Sequence, residues 1–93
     1  MTRDPAKAER NIQRHGVSFE QAREVFGDQY VAVRENVCAD EEQRSEAIGL
    51  TGSLVLLLVI FVNRSEPEVE IIRIISARKA NEYERSAYED QFR

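Results

Sequence analysis

Leu54-Val55-Leu56-Leu57-Leu58-Val59-Ile60-Phe61-Val62 is the only long apolar run in the chain. A helix crossing a bilayer needs about 20 such residues, so this run is too short to span one. Its Val, Ile and Phe content marks a strand that is apolar on both faces, the signature of a central position in a sheet. On its N-terminal side, Thr51-Gly52-Ser53 reads as a tight hairpin leading back to a strand over Arg44–Leu50. Downstream, Asn63 to Pro67 turns the chain into a strand over Val69–Ile75. Upstream, Ala39-Asp40-Glu41-Glu42 is a solvated acidic turn, and Tyr30 to Val37 alternates as a further strand. Hairpin-length links make this four-stranded sheet largely antiparallel.

The flanks are helical. Asp4-Pro5 is an N-cap followed by proline at the first helical position, and His15-Gly16 supplies the stop. Between them Lys7, Arg10 and Arg14 share one face, Ala8 and Ile12 form the apolar face, and Asn11 and His15 lie between the two. Ser18 with Gln21 three residues later makes a capping box, and Phe19, Ala22, Val25 and Phe26 mark the buried side of that second helix. Ser76 reads as the cap of a last helix, with Ala80, Tyr83, Ala87 and Tyr88 on one side. The expected fold class is therefore α+β, in the order α-α-β-β-β-β-α. One apolar layer lies between a largely antiparallel sheet and the helices packed against it.

Ninety-three residues make one domain, 1–93, with 42% hydrophobic and 32% charged residues, a globular balance. A single cysteine, Cys38, excludes an internal disulfide and reads as a strand-end filler in a reducing compartment. With no signal-peptide pattern in the opening residues, a cytoplasmic location and no membrane association are expected. The net charge of −4 argues against bulk attraction to nucleic acid, yet the charges are unevenly placed. Residues 1–19 hold four cations against two anions, residues 71–80 three cations and no anion, and residues 20–46 three cations against eight anions. Charges are screened beyond about 8 Å at physiological salt, so a local basic site is compatible with an acidic chain.

Metal-ligand spacings, phosphate-cradling glycine loops and nucleophile elbows are absent from the sequence, and no cofactor or metal is expected. What remains is a set of cations. Arg73 interrupts the apolar strand 69–75, where an unpaired guanidinium would be costly. Either it projects onto an open sheet face to hold a phosphate, or it pairs with a carboxylate such as Glu46 or Glu84. Arg78 and Lys79 sit where the last helix is expected to begin, against its dipole. His15, the one histidine, suits proton transfer near neutral pH and equally suits a helix C-terminus. The tyrosine stripe of 83 and 88 reads first as core.

Three stretches resemble a known family. They are Asp4-Pro5-x-Lys7-Ala8-x-x-Asn11-x-x-x-His15-Gly16-Val17-Ser18-Phe19, then Glu42-x-Arg44 with Ile48-Gly49, then Arg73-Ile74-Ile75-Ser76-Ala77-Arg78-Lys79-Ala80 with Glu84 and Tyr88. Together they resemble the BrnT toxins of type II toxin–antitoxin systems. The resemblance implies a RelE-like fold and a metal-independent endoribonuclease. It implies neutralisation by a BrnA-type antitoxin of the ribbon-helix-helix DNA-binding kind, in a hetero-oligomer that represses its own operon and meets operator DNA only through the antitoxin. Under it, His15, Arg44, Arg73 and Arg78 are expected to be catalytic, and Lys7, Arg10, Arg14 and Lys79 to bind RNA phosphates. Glu42, Glu84 and Tyr88 are accessory candidates. The alternative is a non-catalytic module that binds only a partner antitoxin or DNA-binding protein.

Overall fold

The apolar run does occupy the centre of the sheet. In the computed structural model, which describes residues 5–36, 44–63, 66–69 and 71–92, it forms β3 (Leu56–Asn63). The strand β2 (Arg44–Leu50) lies on one side of it and β4 (Ile72–Lys79) on the other, with β1 (Ala32–Asn36) outermost beside β2. Every pairing is antiparallel. Two helices, α1 (Pro5–His15) and α2 (Phe19–Val25), precede the sheet, and α3 (Glu82–Glu89) with a short 3-10 turn at Asp90–Phe92 follows it. The order α-α-β-β-β-β-α is thus the one expected. Asp4, Val37, Cys38, Glu42 and the rest of the acidic turn 39–42 lie outside the described residues.

The core differs from the single layer expected, because β3 is apolar on both faces and both are used. Leu57, Val59 and Phe61 point to one side and join Phe19, Ala22 and Val25 of α2. Leu58 points to the other side and packs with Ile48 and Tyr88 of α3. Gly49 sets the spacing on the α2 side. A Cβ there would sit 2.9 Å from Val25 Cγ1 and 3.1 Å from the Val25 carbonyl oxygen, closer than packed atoms tolerate.

The hairpin and the start of the last helix differ from the sequence reading. The tight hairpin is wider, closed by Thr51 N–H donating to the Val55 carbonyl and Leu54 N–H donating to the Thr51 carbonyl. Leu54 takes the left-handed backbone there, at φ +64. The second correction concerns Ser76, which caps no helix. The strand continues to Lys79, and α3 is capped by Asn81, whose side chain accepts from Glu84 N–H while the Glu84 carboxylate accepts from Asn81 N–H. The cause is a bulge in β4. Ser76 stands opposite Ile60 and Ile74 opposite Phe61, which leaves Ile75 without a partner residue on β3. The extra residue resets the alternation, so Ile74 and Ala77 both enter the α2-side core although three residues apart. A period-two reading cannot pass through such a point.

The outer edge of β4 is closed by one side chain. Asn11 is 6% exposed, whereas Ile12, expected on the inner face of α1, is 47% exposed. The Asn11 amide nitrogen donates to the carbonyls of Ala77 (2.8 Å) and Val17 (2.7 Å). Its oxygen accepts from Ala77 N–H (3.1 Å) and the Ser76 hydroxyl (3.3 Å). Asn11 thereby pairs with both backbone groups of Ala77, as a neighbouring strand would.

Truncation to Asn11→Ala leaves three backbone groups to find new partners, and each unsatisfied buried group costs about 1–3 kcal/mol. Urea denaturation of Asn11→Ala is expected to show a loss of about 2–4 kcal/mol, larger than the roughly 1–3 kcal/mol of Gly49→Ala overpacking.

Candidate nucleic-acid interface

The last turn of α1 carries Arg14 and His15, and Gly16 ends it at φ +69, its N–H donating to the Ile12 carbonyl at 2.8 Å. That left-handed residue is the glycine stop expected from the sequence. The docking of Asn11 on Ala77 brings this helix end to the bulge of β4. A hollow of about 200 Å³ lies between them, lined by Arg10, Asn11, Arg14, His15, Ile75 and Ser76. Arg10 and Arg14 are exposed and His15 is half-buried.

Arg34, Arg44, Arg73 and Arg78 lie on the sheet face that carries α3. In register across that face, Arg34 is opposite Glu46 and Glu46 opposite Ile60. Arg78 is opposite Leu58 and Arg73 opposite Val62. Arg44 pairs in register with Asn36 at the same end of the sheet as Arg73, because Leu50 and Lys79 mark the other end. Arg34 donates to Glu46 at 2.7 Å. Glu84 is taken by Arg78, whose two terminal nitrogens donate to the two carboxylate oxygens at 2.8 and 2.7 Å. Among the described residues, neither Arg44 nor Arg73 enters an ion pair.

The hydrogen bonds of this fork push Arg78 further up from its ordinary value against a smaller desolvation effect. The same bonds hold the buried Glu84 carboxyl down, helped by the Asn81 N–H. Glu84 therefore joins the end of β4 to the first turn of α3, and Arg78 lies in the strand rather than at a helix start. Tyr88 is likewise committed. It is buried against the sheet, and its hydroxyl donates to Asp28 Oδ2 at 2.7 Å. Burial first, then the Asp28 carboxylate, raise its pKa to about 12. Burial would raise Asp28, but the Leu50 N–H, the Tyr88 hydroxyl and the Tyr30 N–H together hold it below its ordinary value.

The structure thus gathers Arg10, Arg14 and His15 at one hollow. It places Arg44 and Arg73 at one end of the α3-bearing face and Lys79, exposed, at the opposite end of β4. Lys7 lies in the first half of α1. Asn11 and Asp28 were not singled out from the sequence. For Asp28 the available signal was an aspartate directly after a helix-ending glycine, a position that favours side-chain bonding to nearby backbone N–H groups. Among the described residues, no group of three or more His, Cys, Asp or Glu side chains could hold a metal ion, and no helix is long and apolar enough to cross a membrane.

Comparison with known proteins gives this arrangement a family. The model of the ribonuclease toxin, BrnT, of type II toxin–antitoxin systems matches residues 4–84. The chain belongs to the BrnT family. A 1.1 Å crystal structure of the Brucella abortus ribonuclease toxin BrnT superposes with a TM-score of 0.65 at 27% identity, covering 88% of this chain and 96% of that one. No curated protein sequence matches. The BrnT match spans all three helices at least in part, since it ends at Glu84, and it includes the whole sheet. The α+β, RelE-like layout expected from the resemblance is the one observed.

The anchoring carboxylates of this BrnT member set its acid response. Asp28 and Glu84 have folded values below their unfolded ones, so their contribution is present above about pH 4–5 and is lost as pH falls through the lowered folded values. Tyr88 has the opposite sign: its contribution is complete below pH 10 and is lost as pH rises towards about 12. Urea midpoints are expected to fall at both extremes, and Tyr88→Phe to flatten the alkaline fall while lowering the neutral midpoint.

Proposed function

We propose that this BrnT protein cleaves RNA without a metal, using the α1–β4 junction as its site. The observation that carries the reading is the hollow where Arg10, Arg14 and His15 meet the β4 bulge, with Arg73 two residues along the strand from Ile75. Two residues of strand span about 7 Å, close to the spacing of neighbouring phosphates on a nucleic-acid strand. The guanidinium groups of Arg10 and Arg14 at the hollow attract a phosphodiester and repel a divalent metal, which supports chemistry carried by side chains.

In the reaction proposed, a ribose 2′-hydroxyl attacks the adjacent phosphorus and the 5′-oxygen of the next nucleotide leaves. The products are a 2′,3′-cyclic phosphate and a 5′-hydroxyl. His15 transfers the proton, Arg73 and Arg44 stabilise charge on the phosphoryl oxygens, and Arg10 and Arg14, with Lys7 and Lys79, hold the flanking phosphates. Arg78, Glu84 and Tyr88 serve by holding α3 to the sheet. The partner proposed is a BrnA-type antitoxin with a ribbon-helix-helix domain, the complex repressing its own operon. Support comes from the type II family and from the −4 charge, which suits a DNA-binding partner better than it suits DNA.

The test is purified protein and RNA in excess EDTA. Cleavage is expected to persist, and to fall about 100-fold or more in His15→Ala and in Arg73→Ala, with unchanged circular dichroism. Cleavage abolished by EDTA would overturn metal independence. Unaltered activity in both variants would overturn the site, and an inactive wild-type protein would favour the binding module.

A further inference from the structure

The end of the molecule opposite Arg44 and Arg73 carries an apolar patch that neither the core nor the proposed RNA site uses. Leu54 is 78% exposed and holds φ +64, a backbone that leucine disfavours. Nothing in the hairpin needs a leucine there, because closure uses its N–H alone. With Tyr30 and Leu50 it lines a shallow hollow beside the hairpin. Tyr30, 46% exposed, stacks edge-on with Phe92, 55% exposed, at 5.0 Å, and Phe92 rests on Tyr88 at 5.7 Å. Single exposed apolar residues are ordinary, but a contiguous group around a strained residue marks an interaction surface.

The charges of the hollow identify the occupant. Its charged lining residues are two carboxylates, Glu24 and Asp28. Both are fixed by backbone donors: Glu24 accepts from Gly52 N–H at 2.8 Å, and Asp28 from Leu50 and Tyr30 N–H at 2.9 Å each. Asp90, two residues before Phe92, adds a further carboxylate, and Glu89 pairs with Arg85. Fixed carboxylates repel an RNA phosphate, and a second copy would bring the same carboxylates face to face. A cationic protein segment with an apolar side chain at its centre complements both features.

We propose that this hairpin end is the docking surface for the protein antitoxin, which inserts an apolar side chain beside Leu54 and sets Lys or Arg against Glu24 and Asp28. The proposal rests on the toxin reading above for the identity of its partner. Leu54, Tyr30 and Phe92 are not among the residues proposed to hold or cleave RNA, so anchoring here and RNA cleavage are separable by mutation.

The probe is the purified product of the gene adjoining that of this chain, titrated against wild-type protein, Leu54→Gly and Phe92→Ala by calorimetry. Leu54→Gly relieves the left-handed strain, so its Tm is expected to equal or exceed that of the wild type. Its affinity for the antitoxin is expected to fall at least tenfold, with RNA cleavage by the free variant unchanged. Antitoxin affinity within twofold of wild type in both variants overturns the proposal. So does a wild-type protein that binds no antitoxin, or a wild-type dimer that Leu54→Gly dissociates, which assigns the patch to a second copy. Loss of RNA cleavage in Leu54→Gly overturns it in favour of an RNA contact. Failure of the nuclease reading is read separately, as inactivity of the wild-type protein towards RNA.

Discussion

The amide of Asn11 joins three parts of the molecule at once. It pairs with the backbone of Ala77 on the edge of the sheet, receives the Ser76 hydroxyl, and ties down the Val17 carbonyl where the chain passes from α1 to α2. Edge strands expose unpaired donors and acceptors, and most folds cover them with charge, bulges or another element. Here a side chain does so from a helix at Ala77, and those contacts hold the helix end against β4. The hollow beside β4 follows from that position, since Arg10 directly precedes Asn11 and Arg14 and His15 follow it by one turn. Among the described residues no buried side-chain polar atom lacks a partner, which fits a structure held by a few saturated polar contacts.

The opposite face is organised by a second saturated contact. The Arg78–Glu84 fork and the Tyr88–Asp28 bond fasten α3 over Leu58 and Ile48. Arg34 and Arg78 are matched by Glu46 and Glu84, so the basic character of the face rests on Arg44 and Arg73. An acidic chain thus presents a local cationic region on one side of the β4 edge and at one end of the sheet. The carboxylates of Asp28 and Glu84 serve as clamps, and Glu24 lies with Asp28 beside the hairpin.

Much of this was legible in the sequence. The central strand, the glycine at position 16 and the Ser18 capping box read directly, because each is a local rule that tertiary contacts did not override. The start of α3 did not read, because the bulge at Ile75 breaks alternation and makes Ser76 look like a cap. The Asn81 and Glu84 pair three residues apart was nevertheless a visible box. The role of Asn11 was not legible at all, since its partners Ser76 and Ala77 lie more than sixty residues away. For the site, residue types pointed to phosphate chemistry. They could not separate Arg73, which is unpaired among the described residues, from Arg78, which is committed to Glu84.

The ends of the cleaved RNA test the proposed chemistry most directly. Attack by the 2′-hydroxyl predicts fragments bearing a 2′,3′-cyclic phosphate and a 5′-hydroxyl, identifiable by mass spectrometry of a defined oligonucleotide digested in EDTA. Fragments ending in a 3′-hydroxyl and a 5′-phosphate would require water as the nucleophile and would contradict a site built from His15 and arginines alone.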